Sequence, residues 1–154
     1  MAVPSAKPSV LFVCVANSCR SQMAEALAKA LVGDQWQIWS AGSSPSGRVH
    51  PLAMHLMQEI GLDLSTYRSK GLDDVPQQRW DYVVTMGCGD ECPTVQARHR
   101  IDWAIPDPVA LPAEEARNIR DQLAELVREL VMRHPAGGTL DNSRVLDEDE
   151  TSCR

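Results

Sequence analysis

The sequence has no long apolar run and no excess of positive charge. Its 154 residues contain no stretch approaching the roughly 20 apolar residues that a transmembrane helix needs. Residues 1–9 are polar and contain prolines, and the apolar segment 10–15 that follows is too short for a signal peptide. The 15 basic and 21 acidic residues give a net charge of −6, which argues against nucleic acid as a partner. We therefore expect a cytoplasmic, single-domain protein that acts neither on membranes nor on nucleic acid.

The cysteines are the next informative feature, because their number is odd. The five lie at Cys14, Cys19, Cys88, Cys92 and Cys153, so they cannot all pair within one chain. In a reducing compartment, clustered cysteines indicate catalysis, redox chemistry or metal binding before they indicate structural disulfides.

Apolar segments and helical periodicities alternate along the chain. They predict strands at residues 10–15, 37–40, 82–86 and 101–105, and helices at residues 21–32, 51–60 and 114–134. Strands separated by helices favour a parallel sheet with right-handed crossovers. The predicted fold is therefore a single α/β domain, with a four-stranded parallel sheet and helices on both faces.

The ends of the chain differ from its middle in composition. We expect residues 1–8 to form a flexible N-terminus and residues 9–134 to form the folded domain. Residues 135–154 are polar, acidic and glycine-bearing, a composition that is typical of a disordered tail.

The segment between the first strand and the first helix carries the main chemical signal. Ligands bind at the carboxyl ends of parallel strands, and a helix N-terminus there offers unpaired N–H groups. Five residues separate Cys14 from Arg20, which is enough for a loop whose amides converge on a tetrahedral oxyanion. Arg20 could bind two oxygens of that anion in a fork. The predicted oxyanion-binding residues are Val15, Ala16, Asn17, Ser18, Cys19, Arg20 and Ser21.

Cys14 stands at the mouth of this loop, where it is the candidate nucleophile. The helix dipole and Arg20 both favour the thiolate, which is the nucleophilic form of cysteine, and Ser21 could donate a hydrogen bond to its sulfur. The alternative interpretation makes Cys14 a small buried hydrophobic residue at the end of a strand. The strand before the loop, the helix after it and the serine that follows Arg20 favour the nucleophile.

Four motifs now resemble a known family, the arsenate reductases that share the low-molecular-weight phosphotyrosine phosphatase fold. The motifs span residues 14–25, 39–42, 84–93 and 102–108, and the resemblance covers residues 9–134. The first and last motifs are shared with the phosphatases, whereas the paired Cys88 and Cys92 favour the thiol-linked, three-cysteine reductases. The resemblance implies a low-molecular-weight phosphatase-like fold and an enzyme that reduces arsenate to arsenite in arsenic detoxification.

The resemblance also gives a role to Asp107, which it identifies as the general acid. The reaction needs such a group, because hydroxide or an alkoxide leaves poorly unless it is protonated. On its own, the Asp107-Pro108 pair would indicate a turn.

The resemblance further implies a disulfide relay through Cys88 and Cys92. Cys88 is expected to attack Cys14 in its arsenate adduct, releasing arsenite, and Cys92 is then expected to attack Cys88. Thioredoxin-linked relatives usually space these two cysteines further apart. The electron donor therefore stays open between thioredoxin, glutaredoxin with glutathione, and mycothiol with mycoredoxin.

Other interpretations of the same residues remain. A metal site could use Cys88, Cys92 and His99, but no fourth ligand is obvious, so we expect no metal and no bound cofactor beyond an external thiol reductant. A phosphatase acting through a phosphocysteine would need the same nucleophile, arginine and acid. However, Val109 stands where those enzymes commonly carry an aromatic residue. A non-catalytic oxyanion or redox sensor would not need all three catalytic groups.

Overall fold

A computed structural model describes residues 7–86 and 95–134 of the chain. Four parallel strands form one sheet in the order β2-β1-β3-β4. The strands are β1 (Ser9–Cys14), β2 (Gln37–Gly42), β3 (Trp80–Thr85) and β4 (Ala97–Asp102). The α-helices are α1 (Arg20–Val32), α2 (Pro51–Gln58) and α3 (Ala113–Arg133). The predicted four-stranded parallel sheet is confirmed. The predictions for the first six residues, for Cys88 and Cys92, and for the tail from residue 135 lie outside the described residues.

The core is divided by the sheet into two clusters of unequal size. Val10 and Phe12 of β1 join the larger cluster, to which all three α-helices contribute buried side chains. The alternate residues Leu11 and Val13 join a smaller cluster on the opposite face, because successive side chains of a strand point to opposite sides. That face is covered by a 3₁₀ turn at Leu72–Asp74 and the residues after it. Within residues 7–86 and 95–134, the predicted helices on both faces are thus α-helices on one face and a 3₁₀ turn on the other.

One predicted element is misplaced along the sequence. The fourth strand was expected at residues 101–105, but β4 occupies Ala97–Asp102. It is an edge strand that pairs with β3 alone, and none of its residues is fully buried, so it lacks the apolar pattern that identifies the inner strands. The apolar Trp103 and Ile105 are buried just beyond its end. Asp107 consequently lies five positions past Asp102 rather than directly after a strand.

No helix in the described part of the chain is long and apolar enough to cross a membrane.

An ionic contact links helices α2 and α3. Glu59, which caps the end of α2, accepts hydrogen bonds from Arg117 and Arg120 of α3 at 2.9 Å and 2.8 Å. These contacts lower the pKa of Glu59 to about 2 and tie two helices together beside the sheet.

Candidate active site

The candidate site begins where β1 ends and α1 starts. Cys14 is the last residue of β1 and Arg20 the first of α1, so the five intervening residues form the connecting loop. Asn17 has a φ of 49°, a left-handed conformation that asparagine tolerates better than most residues. The loop also packs closely on β2. A Cβ atom at Gly42 would lie 2.5 Å from the Val15 carbonyl oxygen, so only glycine fits there.

The loop is held from outside through its carbonyl groups. The carbonyl oxygens of Val15, Ala16 and Ser18 accept hydrogen bonds from backbone N–H groups of the segment 44–50, at 2.8 to 3.0 Å. In a trans peptide, the N–H group points away from the carbonyl to which it is bonded. The N–H groups of Ala16, Asn17 and Cys19 therefore point to the other side of the loop. Converging N–H groups of this kind can bind an oxyanion.

The Cys14 sulfur is buried at the base of this loop, where it meets Ser21. The two side chains are 2.9 Å apart, from Sγ to Oγ, and Cys14 is only 3% exposed. The Ser21 hydroxyl already accepts a hydrogen bond from Nδ2 of Asn17 at 2.8 Å. Its own hydrogen is therefore free to point at the sulfur, and a thiolate there would accept it. A donor in this position stabilises the nucleophilic form of cysteine.

The orientation of the Asn17 amide is fixed by its other contacts. Its Oδ1 accepts from the Lys70 backbone N–H at 2.7 Å and from Nε2 of Gln22 at 2.9 Å. Nδ2 consequently donates both its hydrogens, one to Ser21 and one to Ser40, the latter at 3.0 Å. Gln22 was not predicted as a site residue, although it lies inside the motif that carried the resemblance. Nothing in one sequence distinguishes a glutamine that orients a loop from one on a helix surface.

Arg20 connects the loop to the segment that follows β4. Its Nη1 donates to the Ile105 carbonyl oxygen at 2.8 Å. Two residues further along, Asp107 caps a 3₁₀ turn at Pro108–Ala110, where its Oδ1 accepts from the Val109 N–H at 3.1 Å. The structure thus brings Cys14, Arg20 and Asp107 to the same carboxyl edge of the sheet. Cys88 and Cys92 lie outside the described residues, so their placement stays a prediction.

Cys19 lies in the same loop, yet its environment is unlike that of a nucleophile. It is 4% exposed, and burial raises its pKa to about 12. Burial is the largest cause of this raised pKa; the charges of Asp107 and Cys14 add to it, and Arg20 opposes them. Cys19 is therefore a neutral thiol near pH 7, and its N–H group is the part that faces the loop. Among the residues that the structure describes, no three His, Cys, Asp or Glu side chains are placed to hold a metal ion.

The sequence that forms this site matches a known protein family. Residues 9–142 match the model for low molecular weight phosphotyrosine protein phosphatase. The chain belongs to this family. Arsenate reductase 2 of Staphylococcus epidermidis is 36% identical to it over 134 residues, which cover 82% of this chain and 98% of the relative.

Solved structures agree with the sequence comparison. An arsenate reductase in the phosphate-binding state matches with a TM-score of 0.75 and 35% identity, covering 83% of this chain and 99% of that one. The thioredoxin-dependent arsenate reductase of Corynebacterium glutamicum matches with a TM-score of 0.68 and 38% identity, covering 84% of this chain and 63% of that one. The predicted resemblance to arsenate reductases on the small phosphatase fold is confirmed, and the chain is an enzyme of this group.

Proposed function

We propose that this enzyme reduces arsenate to arsenite through a covalent adduct on Cys14, and so serves arsenic detoxification. The observation that carries the proposal is the 2.9 Å contact between Cys14 Sγ and Ser21 Oγ, in a loop with Arg20 at its far end. The similarity to named arsenate reductases supports arsenate as the substrate. We place the reaction in the cytoplasm, where thiol reductants are abundant.

In the first step, arsenate occupies the loop and Cys14 attacks the arsenic. The N–H groups of the loop and the Arg20 fork bind the oxygens, which places the arsenic next to the sulfur. A sulfur–arsenic bond forms as an arsenic–oxygen bond breaks. Asp107 donates a proton to the departing oxygen, which leaves as water.

In the second step, a cysteine relay supplies the two electrons. The Cys88 sulfur attacks the Cys14 sulfur, the sulfur–arsenic bond breaks, and arsenic keeps the electron pair and leaves as arsenite. Cys92 then attacks Cys88, which releases the Cys14 thiolate and leaves a Cys88–Cys92 disulfide. An external thiol reductant supplies two electrons and returns this disulfide to two thiols. Each turnover therefore consumes two electrons and leaves the protein unchanged.

Three donor systems could supply these electrons. Thioredoxin gains support from the similar Corynebacterium enzyme, whose name gives it as thioredoxin-dependent. Glutaredoxin with glutathione, and mycothiol with mycoredoxin, are the other candidates. Cys88 and Cys92 are closer together than in most thioredoxin-linked relatives, which supports these two donor systems as alternatives.

The second candidate function is phosphomonoester hydrolysis through a phosphocysteine. It is favoured by the family match itself and by the chemical likeness of phosphate to arsenate. Against it, the residue after Pro108 is the aliphatic Val109, which is 41% exposed and offers no aromatic ring to hold a phosphotyrosine. The small side chains of Ala16 and Ser18 also suit a bare oxyanion better than a large ester.

A product assay separates these two functions. Purified enzyme is given arsenate with each donor system in turn, and arsenite is measured. A parallel reaction measures hydrolysis of an aryl phosphate without a donor. The proposal expects donor-dependent arsenite release that is faster than aryl phosphate hydrolysis. Efficient hydrolysis without arsenite release from any donor would favour the phosphatase.

A further inference from the structure

A buried group of charges lies behind the Cys14 loop and takes no direct part in the steps above. Its centre is Glu25 of α1, which is only 5% exposed. Oε2 of Glu25 lies 2.8 Å from Nζ of Lys29, and its Oε1 accepts a hydrogen bond from the Ser40 hydroxyl at 2.5 Å. Nζ of Lys70 lies 3.5 Å from the same Oε1. A buried carboxylate is costly unless it is paired and hydrogen-bonded, so these partners are required.

The two lysines do not have equivalent places in this group. The Lys29 side chain is 44% exposed and contacts Glu25 across one helical turn, from the solvent side. The Lys70 side chain is 13% exposed and also reaches Oγ of Ser40, at 3.4 Å. In addition, the backbone N–H of Lys70 donates to Oδ1 of Asn17. Lys70 therefore contacts this network both at Asn17, through its backbone, and at Glu25 and Ser40, through its side chain. Lys29 contacts it only at Glu25.

Once Cys14 is a thiolate, which can only accept, the hydrogen bonds between Lys70 and Cys14 run in one direction. Ser40 donates to Glu25, so the Ser40 oxygen is left to accept from Lys70 and from Nδ2 of Asn17. The other Nδ2 hydrogen of Asn17 goes to Ser21, which leaves the Ser21 hydrogen for the sulfur. Because each group then has one available role, fixing the Ser40 end fixes Ser21 as the donor to the Cys14 thiolate.

We propose that Lys70 is a positioning residue for the Cys14 nucleophile. Its ammonium group compensates the buried Glu25 carboxylate and holds Ser40 in the orientation that aligns Asn17 and, through it, Ser21. The inference rests on the proposed function only in taking Cys14 as the nucleophile. Without the ammonium group, Ser40 can turn, one acceptor for Asn17 is lost, and the Ser21 hydroxyl is no longer held toward the sulfur.

The test compares two substitutions of equal chemistry. Lys70→Met and Lys29→Met each remove one ammonium partner of Glu25, while the backbone N–H of residue 70 stays in place. The readout is the rate at which iodoacetamide alkylates Cys14, followed by peptide mapping across pH 5 to 10. Arg20, Asp107 and Cys19, the groups whose charges or dipoles act on this loop, are unchanged in both variants. Arsenate turnover is not needed for this measurement.

We expect Lys70→Met to shift the pH midpoint of Cys14 alkylation upward by about one unit, which is about a tenfold slower reaction below the midpoint. Lys29→Met should shift it much less, and Lys70→Arg should restore the wild-type profile. Lys70→Gln provides a second measurement should the methionine variant not fold, because its amide carries no charge and should likewise shift the midpoint upward.

Two results would overturn the inference. A Lys70→Met or Lys70→Gln profile that superimposes on wild type would show that the ammonium does not act on Cys14. Equal shifts of the pH midpoint in Lys29→Met and Lys70→Met would show that either lysine acts only by compensating the Glu25 charge, and that Lys70 has no separate positioning role. A wild-type protein whose Cys14 shows no preferential alkylation would instead contradict the proposed function, so the two failures are distinguishable.

Discussion

The guanidinium group of Arg20 donates to the carbonyl oxygen of Ile105 at 2.8 Å, across 85 positions of sequence. One side chain thereby joins the loop that follows Cys14 to the segment that carries Asp107. Nη1 is engaged by Ile105, which leaves the other nitrogens of the fork for an oxyanion. A change at Arg20 should therefore affect both binding of the anion and the position of Asp107.

We predict that Arg20→Lys lowers kcat/KM for arsenate by about a hundredfold, the size expected when an oxyanion-binding donor is removed. An ammonium group keeps the charge but cannot bind two oxygens and Ile105 at once. Steady-state kinetics measure the effect, with Arg128→Lys as a control because its side chain is 57% exposed on α3. A value within threefold of wild type would remove Arg20 from oxyanion binding.

Asp107→Asn should slow formation of the Cys14–arsenic adduct by about 10²–10⁴, the usual contribution of a general acid. The amide keeps the shape of the carboxyl group and can still accept from the Val109 N–H, so the turn should persist. Oxyanion affinity should change much less than the rate. Single-turnover kinetics with arsenate separate the two quantities, and an unchanged adduct rate would mean that another group protonates the leaving oxygen.

Cys19 should be inert to alkylation over the range in which Cys14 reacts. Burial raises its pKa to about 12, so at pH 8 only about one Cys19 in ten thousand is a thiolate. Because folding raises this pKa from its ordinary value of 9.0, the buried neutral thiol contributes fully to folding stability below pH 9. That contribution is lost as the pH rises toward 12. Peptide mapping after iodoacetamide treatment of the folded protein at pH 8 should find label on Cys14 and none on Cys19. Comparable labelling of the two would contradict this account.

The inner part of the fold was predictable because burial imposes a pattern on the sequence. Every residue of β1 is buried, and a continuous apolar run identified that strand to within one residue. The edge strand β4 was misplaced because none of residues 97–100 is fully buried and they include Arg98 and Arg100. The apolar residues that were taken for a strand, Trp103 and Ile105, are buried in the non-strand segment that follows β4.

The candidate site shows a similar division. The residues predicted to bind the oxyanion lie within eight consecutive positions, and their spacing between a predicted strand and a predicted helix pointed to them. The contacts that orient those residues come from elsewhere in the chain, as the carbonyl of Ile105 and the backbone N–H of Lys70 illustrate. Nearly every residue carries the same backbone N–H and carbonyl groups, so the residue type at a position does not reveal such a contact. These partners can be identified only from the structure.

The relay gives a prediction that concerns the order of two cysteines. With one equivalent of arsenate, Cys92→Ser should stop after one turnover with a Cys14–Cys88 disulfide, while the wild type should accumulate Cys88–Cys92. Non-reducing peptide mapping identifies the bond. A Cys14 disulfide in Cys88→Ser, rather than in Cys92→Ser, would reverse the order. Normal turnover of both variants with a small thiol would mean that Cys14 is resolved directly from solution.

The most direct test is arsenite production by Cys14→Ser beside Cys19→Ser, with the donor system that supports the wild type. A hydroxyl in place of the Cys14 thiol keeps the shape of the loop but is far less ionised and cannot form the disulfide that follows. We predict no detectable arsenite from Cys14→Ser, substantial activity from Cys19→Ser, and unchanged circular dichroism for both. Arsenite release by Cys14→Ser at a rate comparable to wild type would contradict the assignment of Cys14 as the nucleophile.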